Sequence, residues 1–261
     1  MKTHLMATAV ALCGMVSFAG AEDSQNLLVT SNKIVGASIY NANDEAVASI
    51  DTVVLNKKGE PQFVVADVGG VAGIGGTHAA IPWKALNCEC TMEDGERQCR
   101  ATISMTQERL AKAPQLKTEK YTELSDQEWL KTNAEFYSTE APQAVSKPQD
   151  LICVATVTDA DIQGSTQESV GHLDAIIFDM KSGKAAYGVI GDGGTVGLNE
   201  KYTAVPFKAL NFHQKNEETH VSINATPQEI EEAPVVTPSN YPELELASVR
   251  DRLNESFNSA K

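Results

Sequence analysis

The sequence predicts a mainly β protein: two tandem small antiparallel β-barrels, with short helices and a helix at the carboxyl end. Three observations predict it. The chain repeats itself, since Ile81-Pro82-Trp83-Lys84-Ala85-Leu86-Asn87 returns as Val205-Pro206-Phe207-Lys208-Ala209-Leu210-Asn211, 124 residues later. Each copy is made of strand-length runs rich in Val, Ile, Phe and Tyr, punctuated by Gly, Asn and Asp turn residues. The length also fits, because removing an export leader that ends at Ala21 leaves about 240 residues, room for two domains of roughly 100 to 120 residues.

The amino terminus places Lys2 and His4 ahead of the apolar run 5–20, and Ala19-Gly20-Ala21 ahead of Glu22. That order of charged, apolar and small residues is the order of a secretory signal peptide, expected over residues 1–21, with the mature protein in the periplasm. The apolar run is shorter than the ~20 residues that span a bilayer, so no integral membrane segment is expected after cleavage. The chain carries 21 Lys and Arg against 35 Asp and Glu, a formal net charge of −14. With no cluster of five or more basic residues, a nucleic-acid or anionic-membrane surface is not expected.

The first barrel is expected over 27–116. Its strands are predicted at 34–40, 47–56 and 61–68, separated by turn sequences at 41–44 and 57–61. The second barrel, over 150–234, repeats these at 153–158, 169–179 and 184–191. In each copy a glycine-containing loop leads into a short strand that ends at Pro82 or Pro206, where the missing N–H stops pairing. One helical turn follows at 84–86 or 208–210. A hairpin comes next, its last strand near 97–103 or 218–223, and then a short helix capped by Thr106 or Thr226. Between the barrels, 117–149 reads as a helix of about ten residues followed by a linker, with Ser125 and Glu128 at capping-box spacing. Residues 235–261 read as a proline-rich linker and a C-terminal helix that packs on the barrels through Leu246, Val249 and Leu253.

Four cysteines lie beyond the leader: Cys88, Cys90, Cys99 and Cys153. In an oxidising compartment an even number predicts two disulfides. A two-residue hairpin turn at Asp94-Gly95 places Cys90 opposite Cys99, within reach of a disulfide, which leaves Cys88 and Cys153 to join one module to the next. The spacing has no CxxC knuckle and no matching histidine pair, so no metal site is expected there.

The stretch from Ile34 to Leu86 combines a turn after the first strand, a Gly-containing turn after the second, a glycine-rich loop and a Pro-aromatic-Lys-Ala-Leu end. In this it resembles a PRC-barrel domain, well over 34–90 and more weakly over 150–211. The second copy departs from the pattern in its loop, GDGGTVGLNE, and in Asp159, which stands where an opening glycine is found in the first copy. The resemblance implies a compact six-stranded barrel used in protein assembly, with no common catalytic residue and no cofactor.

The loop GGVAGIGGT at 69–77 lacks the lysine of a phosphate loop and is followed by a strand instead of a long helix, so it reads as a connection between strands. Gly69, Gly70, Gly73 and Gly75, with His78 and Trp83 beyond them, form the candidate interaction loop. His78 has Tyr202 as its counterpart, so a role shared by both copies is excluded for it. His213 and His220 flank the second hairpin turn, where they could meet across strands as a metal or pH-sensing pair. Trp83 and Phe207 occupy equivalent places and are expected to pack; Asp51 and Asp174 also correspond, as buried or turn-capping carboxylates. There is no nucleophile elbow and no cysteine beside an evident base. The expectation is a protein with no catalytic, cofactor or metal residues, a scaffold that binds a protein partner. The alternative is a periplasmic small-ligand or metal-binding protein using the glycine loop and the barrel mouth.

Overall fold

The computed structural model describes residues 28–69, 76–93, 96–116, 121–142, 150–192, 201–215, 218–237 and 241–258. The expected signal peptide, Gly70, Gly73, Gly75 and the turn Asp94-Gly95 lie outside the described residues. The first half contains β1 (Leu28–Thr30), α1 (Ser31–Ile34), β2 (Ser38–Tyr40), β3 (Ala46–Asn56), β4 (Pro61–Val68), β5 (Thr77–Pro82), β6 (Asn87–Glu93), β7 (Glu96–Thr102), α2 (Gln107–Leu110) and α3 (Gln127–Tyr137). The second contains β8 (Leu151–Cys153), α4 (Val154–Val157), β9 (Asp161–Gln163), β10 (Ser169–Asp179), β11 (Lys184–Asp192), β12 (Lys201–Pro206), β13 (Leu210–Lys215), β14 (Glu218–Ile223), α5 (Pro227–Glu232), β15 (Val235–Val236) and α6 (Ala247–Asn258).

The two modules share one topology. The first runs β5-β4-β3-β2-β7-β6 and the second β12-β11-β10-β9-β14-β13, with β15 added beside β12. All neighbours are antiparallel except one pair in each module, β2 with β7 and β9 with β14, which run parallel. Long alternating or fully apolar strands supply the core: Val53, Leu55, Val64 and Ile81 in one module, and Ile176, Phe178, Val189 and Val205 in the other, are all at most 1 % exposed. One continuous buried cluster contains them all, so the modules share a core and do not swing on a linker.

The sharing begins with an exchange of strands. β1 pairs with β10 of the other module, Leu28 facing Asp179 and Thr30 facing Ile177. β8 pairs with β3 in return, Leu151 facing Asn56 and Cys153 facing Val54. Each of these positions is 123 residues from its counterpart, so the exchange follows a pseudo-twofold axis. The expected strand 34–40 is therefore reduced to Ser38–Tyr40, and of the expected strand 153–158 only Cys153 is strand, Val154–Val157 being helical. Each is interrupted by a single helical turn, α1 or α4, that carries the chain from the partner sheet back to its own. For α1 the Thr30 side chain accepts from the Asn32 N–H, a cap that offsets the β preference of Ile34. The return is marked by Gly36 and Asp159, both at positive φ (83° and 66°), whose N–H groups donate to the carbonyls of Ile50 and Leu173. Asp tolerates this conformation better than most residues, which is why the second copy keeps the turn without glycine.

The repeat extends further than expected, through the helices placed in linkers. Tyr121-Thr122-Glu123-Leu124 and Tyr241-Pro242-Glu243-Leu244 lie 120 apart; Tyr121 and Tyr241 both take left-handed backbone, and each starts a 3-10 turn before α3 or α6. Leu124, Asn133 and Tyr137 are buried, as are their counterparts Leu244, Leu253 and Phe257. Two details of the expectation change. Asp126, not Ser125, caps α3, its carboxylate accepting from the N–H groups of Glu128 and Trp129. Leu246 is 57 % exposed, because it occupies the cap position equivalent to Asp126 and so precedes the packed stripe of Val249 and Leu253.

The hairpin β6–β7 has the predicted register, with Cys90 opposite Cys99 and a bond between them at 2.06 Å. Cys88 and Cys153 are not joined to each other. The strand exchange is the reason: β8 lies along the Val54 end of β3, while β6 lies beyond β2 and β7 at the far side of the sheet. Cys153 Sγ is instead 3.3 Å from Thr52 Oγ1.

Candidate functional site

The pseudo-twofold axis passes between two equivalent hairpin turns, Asn56–Glu60 joining β3 to β4 and Asp179–Lys184 joining β10 to β11. On the axis Glu60 meets its own counterpart, Lys184, whose Nζ donates to Glu60 Oε1 at 2.7 Å. Opposite charge at one repeated position lets the two copies face each other without like-charge repulsion. That hydrogen bond, with a second from Asn56, holds the Glu60 carboxyl below its ordinary pKa.

Each turn also meets the aromatic ring that follows the repeated proline of the other module. On one side Phe207 is 3 % exposed. A Cβ on Gly59 would lie 2.9 Å from its ring, and Phe207 stacks on Phe212 with centroids 5.3 Å apart. The Ala185 N–H donates to the Gly59 carbonyl at 2.8 Å and locks this side shut. On the other side the residue equivalent to Ala185 is Pro61, which has no N–H to donate. Trp83 is only partly buried there, and a Cβ on Gly183 would lie 3.6 Å from its indole nitrogen.

The result is a cleft of about 690 Å³, lined by Pro61, Pro82, Trp83 and Lys84 of the first module, Gly183 and Lys184 of the second, and the chain between the modules. Its rim is charged and internally paired: besides Lys184 with Glu60, Lys57 is 2.6 Å from Asp150 and Lys84 is 3.6 Å from Glu140. The lining thus combines a partly buried indole and proline rings with lysine–carboxylate pairs.

The candidate interaction loop is divided by this arrangement. Gly69 follows β4 and His78 is exposed at the start of β5, whereas Trp83 follows the other end of that strand. From His78 to Trp83 the separation along the strand is roughly 16 Å at ~3.3 Å per residue, so these two residues do not form one site. Asp51 is exposed, and Asp174 accepts a hydrogen bond from Tyr241; burial and this carboxylate raise the phenol's pKa. Cys88 is half-buried, and burial raises its thiol pKa, which disfavours the reactive thiolate.

Among the described residues no group of three or more His, Cys, Asp or Glu side chains is placed to hold a metal ion. No described helix is long and apolar enough to cross a membrane. Sequence reasoning missed the cleft. Its one available sign was Pro61 standing opposite Ala185 in the repeat, which matters only once the two turns are known to touch.

The family model for the PRC-barrel domain matches residues 28–94 and again 154–227, together more than half of the chain. The first match contains β2 to β6 and stops before β7, and the second contains all six strands from β9 to β14. No curated protein matches the sequence.

Proposed function

From the premise that the chain belongs to the PRC-barrel domain family, we propose that it is an exported, non-catalytic interaction protein that takes a segment of a protein partner in the Trp83 cleft. The observation that carries this reading is the broken symmetry. Phe207 is sealed by the Gly59 turn, and the equivalent Trp83 is left partly open beside the Gly183 turn. An accessible tryptophan in a concave setting is the residue type that anchors protein interfaces. The alternative of a small ligand in the same cleft is less well supported, because small-molecule pockets are lined predominantly by apolar groups and this one is bordered by three lysine–carboxylate pairs. Export is supported by the charged, apolar and small-residue order of residues 1–21.

The test is affinity purification of the tagged whole protein from cells, wild type beside Trp83→Glu, with intact-mass analysis of what is recovered. One stoichiometric protein retained by the wild type and lost from the variant is the expected result. A monomer that carries a small-molecule mass, or a partner indifferent to Trp83→Glu, overturns the reading.

A further inference from the structure

The two hairpins that end the modules differ at one equivalent position. In the first, Glu89 stands opposite Arg100 across β6 and β7, two residues of opposite charge, with the Arg100 guanidinium paired to Asp44. In the second, the counterparts of both residues are histidines, and His213 faces His220 across β13 and β14. Their rings are nearly parallel, 20° apart in plane, with centroids separated by 5.8 Å, and both side chains are exposed. Two histidines directly opposite gain nothing as a charge pair, since protonation would make them repel. They do share one property that Glu89 and Arg100 lack, two imidazole rings held side by side by a backbone ladder.

We infer that His213 and His220 form a surface site for a single divalent transition-metal ion that favours imidazole nitrogen, with Cu²⁺ bound most tightly. Residues opposed in an antiparallel ladder have Cα atoms about 4.5–5.5 Å apart, close enough for both imidazoles to reach one ion at metal–nitrogen distances near ~2.0 Å. The rings must rotate from their stacked arrangement to converge, which exposure allows, while the ladder keeps the chelate spacing fixed. Imidazole suits copper, nickel and zinc, and divalent affinity rises towards copper along the first row. With two protein ligands the ion keeps its remaining positions for water or an incoming group, so the site exchanges metal or presents it to another molecule. It does not bury the ion as a structural centre would.

The experiment is titration of the whole protein with Cu²⁺ as the only added metal, followed by calorimetry and by electron paramagnetic resonance. The expected result is one equivalent bound with hyperfine coupling from two nitrogens. Affinity should fall about 10-fold or more in His213→Ala and equally in His220→Ala, because each removes the chelate. His78→Ala and His172→Ala should bind as the wild type does. Neither tested residue supports the core, so thermal unfolding should be unchanged in both and loss of binding is not loss of fold. Wild-type affinity in either His213→Ala or His220→Ala, or loss of binding in His78→Ala or His172→Ala instead, overturns the inference. So does an absence of binding by the wild type.

Discussion

Phe207 and Trp83 hold the same place in the repeat, follow the same proline and face the same kind of turn, yet one is sealed and the other lines a cleft. The difference lies in residues across the axis more than in the rings. Ala185 supplies an N–H to the Gly59 carbonyl, and Pro61, in the mirror position, has none to give. One backbone donor is therefore present on the closed side of the duplicated interface and absent from the open side. A symmetric pair of identical modules could not do this, and divergence of the two copies created a concave surface without changing the fold.

The largest effect expected from this comparison is at the sealed ring. Phe207→Ala should cost roughly 3–5 kcal/mol of folding stability, and Trp83→Ala roughly half of that, because only the first leaves a full cavity in the shared core. Chemical denaturation of the two variants measures the difference. Equal losses would mean that the two sides of the interface are energetically alike, and the cleft would lose its special standing.

A smaller contrast is expected at the turns. Gly59 and Gly183 both lie at positive φ, 75° and 68°, so alanine is strained at either by about 1 kcal/mol. Only at Gly59 does the added Cβ also meet a ring at 2.9 Å and the Ala185 methyl at 3.2 Å. Gly59→Ala should therefore be the more destabilising by about 1–3 kcal/mol, the usual cost of overpacking. Thermal unfolding of the pair tests it, and Gly183→Ala losing as much as Gly59→Ala would contradict the packing difference.

The local parts of this architecture were legible in the sequence and the long-range parts were not, for a physical reason. Hairpin register follows from a two-residue turn, so the Cys90–Cys99 pairing could be counted from Asp94-Gly95. Thr106 and Thr226 cap their helices within three residues, the Thr226 cap forming a full box with Glu229. The strand exchange left no mark, because β1 and β8 present the same apolar pattern whichever sheet receives them, and that choice misassigned Cys88 and Cys153. The helical ends of the repeat were visible as Tyr-x-Glu-Leu at 121 and 241, but the change of offset from 124 to 120 hid them behind the hairpin. The cleft depends on residues about 124 apart meeting across an axis, which no local pattern encodes.

Pro61→Ala is the sharpest probe of that axis and the smallest in energy. Alanine restores an N–H where Ala185 has one, and a hydrogen bond to the Gly183 carbonyl contributes about 1 kcal/mol. Losing proline raises the entropy of the unfolded chain by a comparable ~0.4–1 kcal/mol, so stability should move by no more than about 1 kcal/mol in either direction. The geometry should change where the stability does not. With the donor restored, the Asp179–Lys184 turn draws towards Trp83 as the Asn56–Glu60 turn does towards Phe207, and the cleft narrows. In a Trp129→Phe background, which leaves Trp83 as the only tryptophan of the chain, emission should shift to shorter wavelength and become less open to quenching by iodide. Unchanged emission and quenching at unchanged stability would show that the missing donor is not what holds the cleft open, and would return the cause of the asymmetry to the rings themselves.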